Sequence, residues 1–501
     1  MTSLANNLSI GFKAENAFSH ATGRIRSKVI CTVGKCVDKD RLGSLVVAGM
    51  NVMRLNFSHG NHEHHGTAIN NLRSYLADKN RMCGIMLDTK GPEIRTGKLE
   101  GGNDVQLVAG EIVVLTTDYT VVGNAKLVAH TYKNMATSVQ EGSEILIDDG
   151  LLSLTCIKTD PVSGEVTCII NNGGMLGETK GINLPGAQVD LPALTEKDKA
   201  DLIFGCEKQV DMVAASFIRK ASDVIAIREH LSAHGGSSIK IMSKIENQEG
   251  LANFDEILEA SDGIMVARGD LGVEIPVEKV PTAQKMMISK CNVAGKPVIT
   301  ATQMLDSMIK NPRPTRAEST DVANAVLDGS DCVMLSGETA KGSYPVEAVR
   351  TMVGICREVE DMLDYAYVFQ SLRQHHKIAQ LTITETITSS SVKTAYDLNA
   401  AIILCLTETG NTARMVCKYR PVCPVICVTS NETTARQLLI HRGAFPMVVG
   451  SMFGTESLIA RAMHRSTAAG FCEKGDLVVL VSGMREGVSG GTNILRVIKN
   501  E

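Results

Sequence analysis

KIMSKIEN at residues 240–247 and DGIMVARGDLG at residues 262–272 decide the fold. Each segment contains a short apolar run that reads as a β-strand. Each ends in charges two residues apart, Lys244/Glu246 and Arg268/Asp270. Side chains at i and i+2 of a strand share a face, so the two ends present two carboxylates and a lysine to one place. Helix-like sequence separates the strands. Carboxylates and a lysine beside a Gly-Asp turn suit a divalent cation and a phosphate.

The same β/α rhythm extends outward from this stretch. The pattern predicts strands over 29–33, 51–57 and 84–88, then over 212–216, 239–245, 263–267, 298–301 and 332–335. Helices are predicted at 37–48, 62–79, 221–234, 248–260, 277–294, 317–327 and 345–363, with Pro345 at a first helical turn that accepts it. Eight strand–helix units over about 240 residues are the size and pattern of a (β/α)8 TIM barrel. An open doubly wound sheet would carry a Gly-rich first turn, and residues 32–35 have no GxGxxG. From 92 to 191 the rhythm is replaced by Val, Thr and Gly with period-two alternation and turn signals, which reads as an inserted all-β domain, a small barrel. Beyond about 372, strands predicted at 401–406, 425–429, 447–449, 477–482 and 494–498 form a small, mostly parallel α/β unit. The fold class is therefore α/β. Its parts are an N-terminal arm (1–24), a barrel (25–91 and 192–363), an inserted all-β domain (92–191) and a C-terminal α/β domain (364–501).

The chain has 501 residues, too many for a single core. Lys+Arg 51 against Asp+Glu 55 gives 51 − 55 = −4, which argues against a nucleic-acid binder. The absence of Trp leaves no case for base-stacking platforms. No apolar run reaches the ~18 residues of a membrane span, and residues 1–26 show no secretory signal, so the expectation is a cytoplasmic protein. The 14 cysteines are scattered without a CxxC pair and read as buried thiols.

In such a barrel, chemistry sits at the C-terminal strand ends. Those ends carry Arg54, Asn56 and Ser58; Asp88, Thr89 and Lys90; Ser216 and Arg219; Lys244 and Glu246; Arg268 and Asp270; Thr300 and Thr302; Ser336 and Glu338. Buried charges are costly unless paired or metal-bound, so polar groups at so many ends point to a site. Glu246 and Asp270, without His or Cys, make an all-oxygen set for Mg2+ or Mn2+ rather than Zn2+. Arg54 and Lys244 suit a phosphate; Arg268 suits either a phosphate or a structural ion pair. Asn56, Ser58, Asp88 and Thr89 suit a weakly held monovalent cation, and hydrogen bonding alone explains their spacing equally well. The reaction class is metal-assisted phosphoryl transfer.

At this point longer motifs become recognisable. MRLNFSHG (53–60), LDTKGPEIRTG (87–97), KIEN (244–247), MVARGDLG (265–272), ATQML (301–305), NPRPTRAE (311–318) and MLSGETA (334–340) together resemble the pyruvate kinase family. The resemblance runs from about residue 25 to the C-terminus, and it implies a (β/α)8 barrel, a lid after the third strand and a terminal α/β domain. It also implies transfer of the phosphoryl group of phosphoenolpyruvate to ADP, giving pyruvate and ATP, with Mg2+ (or Mn2+) and K+. By that resemblance Arg54 holds the substrate phosphate, Glu246 and Asp270 bind the divalent ion, and Lys244 neutralises the phosphoryl group in flight. Gly269, Asp270 and Thr302 meet the substrate, Thr302 near the site of enolate protonation. Asn56, Ser58, Asp88 and Thr89 ligate K+. His59, Arg95 and Lys180, with Asn56 and Ser58, meet the nucleotide. Glu93 resembles the residue that accompanies K+ dependence. A homotetramer is implied, with no nucleic-acid or membrane partner.

Two features qualify the match. Gly34-Lys35-Cys36 stands where the family usually has Gly-Pro and a small residue, outside the substrate-contacting motifs. Thr407, Thr409, Gly410, Asn411 and Thr412 resemble a loop that holds a sugar bisphosphate in regulated members, and a plain turn is an equal reading. Glu408 puts a negative charge there, and the loop at 485–491 is poor in cations, so activation by fructose 1,6-bisphosphate is expected to be weak or absent. Two other readings compete: a catalytically dead member acting as metabolite sensor or scaffold, and a Schiff-base lyase using Lys244. The presence of Lys244, Glu246, Asp270 and Thr302 argues against the first. The metal pair beside Lys244 argues against the second.

Overall fold

The computed structural model describes residues 25–35, 37–77, 79, 81–374, 381–484 and 490–501. The expected N-terminal arm lies outside these residues. Eight parallel strands close a barrel: β1 (Lys28–Val33), β2 (Met50–Asn56), β3 (Gly84–Asp88), β4 (Met212–Ala215), β5 (Lys240–Ile245), β6 (Gly263–Ala267), β7 (Val298–Ala301) and β8 (Cys332–Leu335). They pair in sequence order and β8 returns to β1. One face of each strand fills the barrel lumen, a buried layer that includes Ile30, Val52, Met86, Met242, Met265 and Met334. Unbranched methionines suit a narrow, irregular lumen. The other face packs under the surrounding helices through Val29, Leu55, Ile241 and Val266, among others.

Local signals position these helices. Thr195 and Asp198 form a capping box on helix Glu196–Glu207, and Thr315 and Glu318 form one on Arg316–Asp328. The first of these helices was missed in the sequence because its apolar periodicity is weak. The helix expected over 248–260 is two helices, Gln248–Ala252 and Phe254–Ala260, broken at Asn253. The helix expected to begin at 37 begins at Lys39, where the Asp38 side chain accepts from Arg41 N.

The lid is a seven-stranded sheet plus a two-stranded ribbon. Its edges meet where Thr96 bridges His130, which curls the sheet into a small barrel around a core including Leu115, Ile145, Leu154 and Ile170. The chain leaves the large barrel after β3 and returns before β4, and those two strands still pair directly, Met212 opposite Met86.

The C-terminal unit is a five-stranded sheet in which Thr492–Lys499 alone runs antiparallel. Its third strand is Ala444–Val448, earlier in the chain than the 447–449 expectation, because the alternation there is interrupted by Pro446. Helices Tyr365–Gln374 and Ile383–Asp397 precede the sheet. This unit docks on the N-terminal rim of the barrel. Arg420 forks onto Asp331 in the loop before β8, and Arg436 Nε lies 2.8 Å from Asp211 before β4. No helix among the described residues is long and apolar enough to cross a membrane.

Candidate active site

The opposite rim of the barrel gathers the predicted charges. Arg54, at the end of β2, donates from Nε to Asp88 Oδ2 at 2.6 Å and from Nη1 to Thr32 Oγ1 at 2.8 Å. Thr32 in turn donates to the Leu335 carbonyl at 2.9 Å, so β1 and β8 fix the guanidinium. Lys244 Nζ sits 3.2 Å from Asp88 Oδ1, 2.8 Å from Glu246 Oε1 and 2.8 Å from Ser216 Oγ. Asp88, Arg54, Lys244, Ser216 and Glu246 are all buried.

Two cations and two carboxylates therefore cancel inside this cluster. Burial opposes ionisation of Asp88, but Arg54 and Lys244 outweigh it and hold the carboxyl below the usual range. Burial also opposes the Lys244 ammonium, yet Asp88, Glu246 and Asp270 carry it above the ordinary lysine value. Burial, aided by Asp270, pushes the Glu246 carboxyl well up, with Lys244 pulling against it.

Asp270 corrects the strand-end reading. It lies in the first turn of a short helix, Arg268–Glu274, rather than on a strand, so Arg268 and Asp270 do not share a face. Arg268 turns inward to Asp321 Oδ1 at 2.6 Å and to the Ala301 and Thr302 carbonyls. It is a structural partner of the loop after β7, one of the two roles open for it. Asp270 borders the cleft beneath the lid, and no hydrogen bond or ion pair engages its carboxylate among the described residues. Asp270 is thus the carboxylate left over once the buried charges have paired. An all-oxygen pair with Glu246, completed by substrate oxygens and water, fits Mg2+ better than a cage built wholly from protein. No cluster of three or more His, Cys, Asp or Glu suited to a metal occurs among the described residues.

Thr302 and Gln303 adopt positive φ, 67° and 54°. Such backbone costs of order 1–3 kcal/mol and persists where the surroundings impose it. Here Thr302 Oγ1 accepts from Gly269 N at 2.7 Å and donates to the Ala301 carbonyl at 2.6 Å. The loop after β7 and the helix after β6 are joined at that point. Phe217, after β4, also has positive φ, and its N–H donates to Glu246 Oε2.

The residues read as monovalent-cation ligands are neighbours. Asn56 and Asp88 are register partners on β2 and β3. Asn56 Oδ1 accepts from Ser58 N at 3.1 Å, and the Thr89 carbonyl accepts from Ser216 Oγ at 2.6 Å. The nucleotide set is divided between two cavities. Asn56 and His59 line one of 440 Å3 with Arg54, Gly34 and Lys341. Arg95 and Lys180 line one of 320 Å3 between lid and barrel, where Arg95 Nε pairs with Glu93 at 2.7 Å and Lys180 with Asp148 at 2.9 Å.

Several strand-end groups are structural. Thr300 Oγ1 bonds Ser330 Oγ at 2.7 Å, Glu338 accepts from Leu305 N and Ser336 N, and Arg219 donates to the Val189 and Leu191 carbonyls where the lid rejoins the barrel. Conversely, Thr32 and Ser216 hold the key cations, and neither had been singled out for that task. A hydroxyl at a strand end was their only signal.

In the C-terminal unit, Gly410 (φ 84°) starts helix Asn411–Lys418, and its N–H donates to Thr407 Oγ1 at 3.0 Å. Thr412 Oγ1 bonds Thr492 Oγ1 at 2.7 Å, and Asn411 Oδ1 accepts from Arg414 at 3.0 Å. Thr409, Gly410 and Asn411 face a 400 Å3 cavity against Lys240 and Lys296 of the barrel. Within the loop at 485–491, positions 485–489 lie outside the described residues.

A (β/α)8 barrel with a buried Arg–Asp–Lys–Glu cluster and a free carboxylate beneath a lid fits a phosphotransferase. Family models confirm and narrow that class: pyruvate kinase, barrel domain, matches residues 24–349, and pyruvate kinase, alpha/beta domain, matches residues 385–498. The pyruvate kinase of Dictyostelium discoideum is 53% identical over 479 residues, covering 95% of this chain and 94% of that protein. The pyruvate kinase of Geobacillus stearothermophilus is 49% identical over 94% of this chain and 80% of its own. A crystal structure of a pyruvate kinase from Cryptosporidium parvum superposes with TM-score 0.93 at 44% identity, covering 99% of both chains. The chain belongs to the pyruvate kinase family and is a glycolytic phosphotransferase.

Proposed function

We propose that the chain passes the phosphoryl group of phosphoenolpyruvate to ADP through the cluster at the ends of β2, β3 and β5 and the loops after β6 and β7. Arg54 holds the substrate phosphate. Glu246 and Asp270 hold Mg2+ (or Mn2+), which when bound neutralises charge on substrate oxygens. Lys244 lies opposite the transferring group and offsets its charge. Gly269 and Thr302, joined by their own hydrogen bond, lie on the carboxylate side of the substrate, and Thr302 stands where the enolate takes its proton. Asn56, Ser58, Asp88 and Thr89 hold K+. His59 meets the nucleotide from the barrel rim, and Arg95 and Lys180 meet it from the lid, which excludes water.

One observation carries this reading. The buried charges run in an alternating chain, Arg54–Asp88–Lys244–Glu246, two cations balancing two carboxylates, and leave Asp270 outside it at the edge of the lid cleft. Presence of Lys244, Glu246, Asp270 and Thr302 disfavours the dead-enzyme alternative. Residues 364–501 serve regulation and assembly into a homotetramer, and the working compartment is the cytoplasm, as the cytosolic isozyme of Glycine max, 47% identical, suggests. The loop at Thr407, Thr409, Gly410, Asn411 and Thr412 responds weakly or not at all to fructose 1,6-bisphosphate, since Glu408 stands inside it.

The test is pyruvate formation from phosphoenolpyruvate and ADP, with Mg2+ and K+ each omitted in turn and with sugar phosphates added. Loss of activity without either cation is expected. Full activity without Mg2+ or Mn2+ refutes the metal assignment, and a large fall in half-saturating phosphoenolpyruvate with fructose 1,6-bisphosphate refutes the effector reading.

A further inference from the structure

Between lid and barrel, one side-chain hydrogen bond joins a lid strand to the helix after β6. Asn183 Nδ2 donates to Glu274 Oε1 at 2.8 Å. Asn183 ends the lid strand Gly181–Asn183, which begins immediately after Lys180. That strand pairs with Ile94–Arg95, Gly181 opposite Arg95. Lys180 N donates to Thr96 Oγ1 at 2.8 Å, so Lys180, Arg95 and Asn183 move as one edge of the lid. Glu274 is the last residue of helix Arg268–Glu274, whose first turn carries Gly269 and Asp270. The other end of that helix is fixed by Arg268 on Asp321 and the Thr302 carbonyl. A single two-turn helix therefore bears the free carboxylate at its start and the lid contact at its end.

A second lid segment lies close to the same helix end. The lid turn at Asp148, Asp149 and Gly150 has positive φ at all three residues, and a Cβ built on Gly150 would lie 3.8 Å from Val273 Cγ1, one residue before Glu274. Arg219 secures the opposite side of the cleft, at the return of the lid to the barrel. Glu274 is half-buried, where a hydrogen bond to an acceptor is worth more than at the open surface.

We infer that Asn183 and Glu274 form a clasp that sets the closed position of the lid, and that they are positioning residues for phosphoryl transfer. They act through Lys180 and Arg95, held over Asp270. The inference rests on Lys180 and Arg95 meeting the nucleotide. With the clasp broken, the lid edge is no longer registered over the metal pair. ADP then binds less well, and water competes with ADP for the phosphoryl group: the P–O bond to the enolate breaks, a water oxygen bonds phosphorus, and inorganic phosphate and pyruvate form without ATP.

The experiment compares Asn183→Leu, Glu274→Leu, the double variant and Glu274→Gln in the full chain. Loss of a hydrogen bond to a charged acceptor corresponds to roughly tenfold. The expected result is a KM for ADP raised roughly tenfold, a KM for phosphoenolpyruvate changed less, and a pyruvate-to-ATP ratio above one. The double variant should be no worse than either single one, since the two residues act as a unit. Glu274→Gln, which keeps an acceptor oxygen, should restore most of the ADP affinity. Additive single effects, or an unchanged KM for ADP with equal pyruvate and ATP, would overturn the clasp. Should a Leu variant fail to fold, hydrogen exchange at residues 181–183 in the Glu274→Gln and unmodified chains decides. Exchange slowed by Mg2+ and ADP in both supports the clasp, and exchange indifferent to them overturns it. Lys180→Met separates the two levels: if it leaves ADP affinity intact, the nucleotide assignment fails rather than the clasp.

Discussion

Replacing Lys244 with Met removes one of the two cations that balance Asp88 and Glu246. The ammonium lies 3.2 Å from Asp88 and 2.8 Å from Glu246, and the proposed assignment sets it against the transferring phosphoryl group. Two unit charges about 4 Å apart interact with about 4 kcal/mol at an effective dielectric of 20. Removing that interaction from the transition state lowers kcat about 10³-fold. Glu246 responds as well. Its carboxyl is already raised by burial, and without Lys244 it rises further, so more Mg2+ is needed for half-maximal rate at neutral pH. Breaking a buried pair costs about 3–5 kcal/mol when one partner stays charged, but protonation of Glu246 relieves part of that and the chain remains folded. The assay is coupled pyruvate formation across a Mg2+ series, on protein whose circular dichroism matches the unmodified chain. Turnover within tenfold of the unmodified enzyme would refute the role assigned to Lys244.

Other perturbations probe different parts of the molecule. Arg268→Lys loses the fork that grips the Ala301 and Thr302 carbonyls, and steady-state kinetics should show kcat down by about 10²-fold, the scale of one misplaced catalytic group; an unchanged kcat would show that Thr302 needs no such support. His130, in the lid core, is lowered from 6.5 to about 4 by burial. The unfolded chain therefore takes up a proton below pH 6.5 while the native chain does so only near pH 4, and stability falls as pH drops through that window. The loss approaches about 3 kcal/mol, and His130→Phe should reduce the difference between urea midpoints at about pH 7 and about pH 4.5. Glu93→Lys puts an ammonium shortly after Thr89, a proposed K+ ligand, in the chain; activity measured without K+ should rise severalfold, and no rise would separate Glu93 from monovalent-cation dependence.

The barrel was legible because its eight strands are continuous apolar runs ending in polar residues, and all eight lie within one residue of their expected bounds at both ends. The lid was legible from its change of period. Helix Glu196–Glu207 escaped notice because Asp198 and Asp201, both buried, occupy its inner face where an apolar pattern would have marked it. Glu246 and Lys244 were readable as neighbours because strand spacing fixes them. Asp270 was placed on a strand because a two-turn helix has too few residues to show a period. Long-range partnerships were invisible for a different reason. Nothing near Arg54 in the chain announces Thr32, and nothing near Glu274 announces Asn183, since those contacts arise only when the barrel and lid close.

The insertion point of the lid bears on how such a chain can fold at all. β3 and β4 are hydrogen-bonded neighbours, yet the lid domain intervenes between them. Closing a flexible loop of about 100 residues costs on the order of 4 kcal/mol in chain entropy, only about 0.6 kcal/mol more than one half as long. A lid that condenses on its own core first shortens that loop to little more than the gap between its two ends. With the lid condensed, the barrel closes as though the insert were a brief connection, so a long insertion between paired strands need cost the ring little.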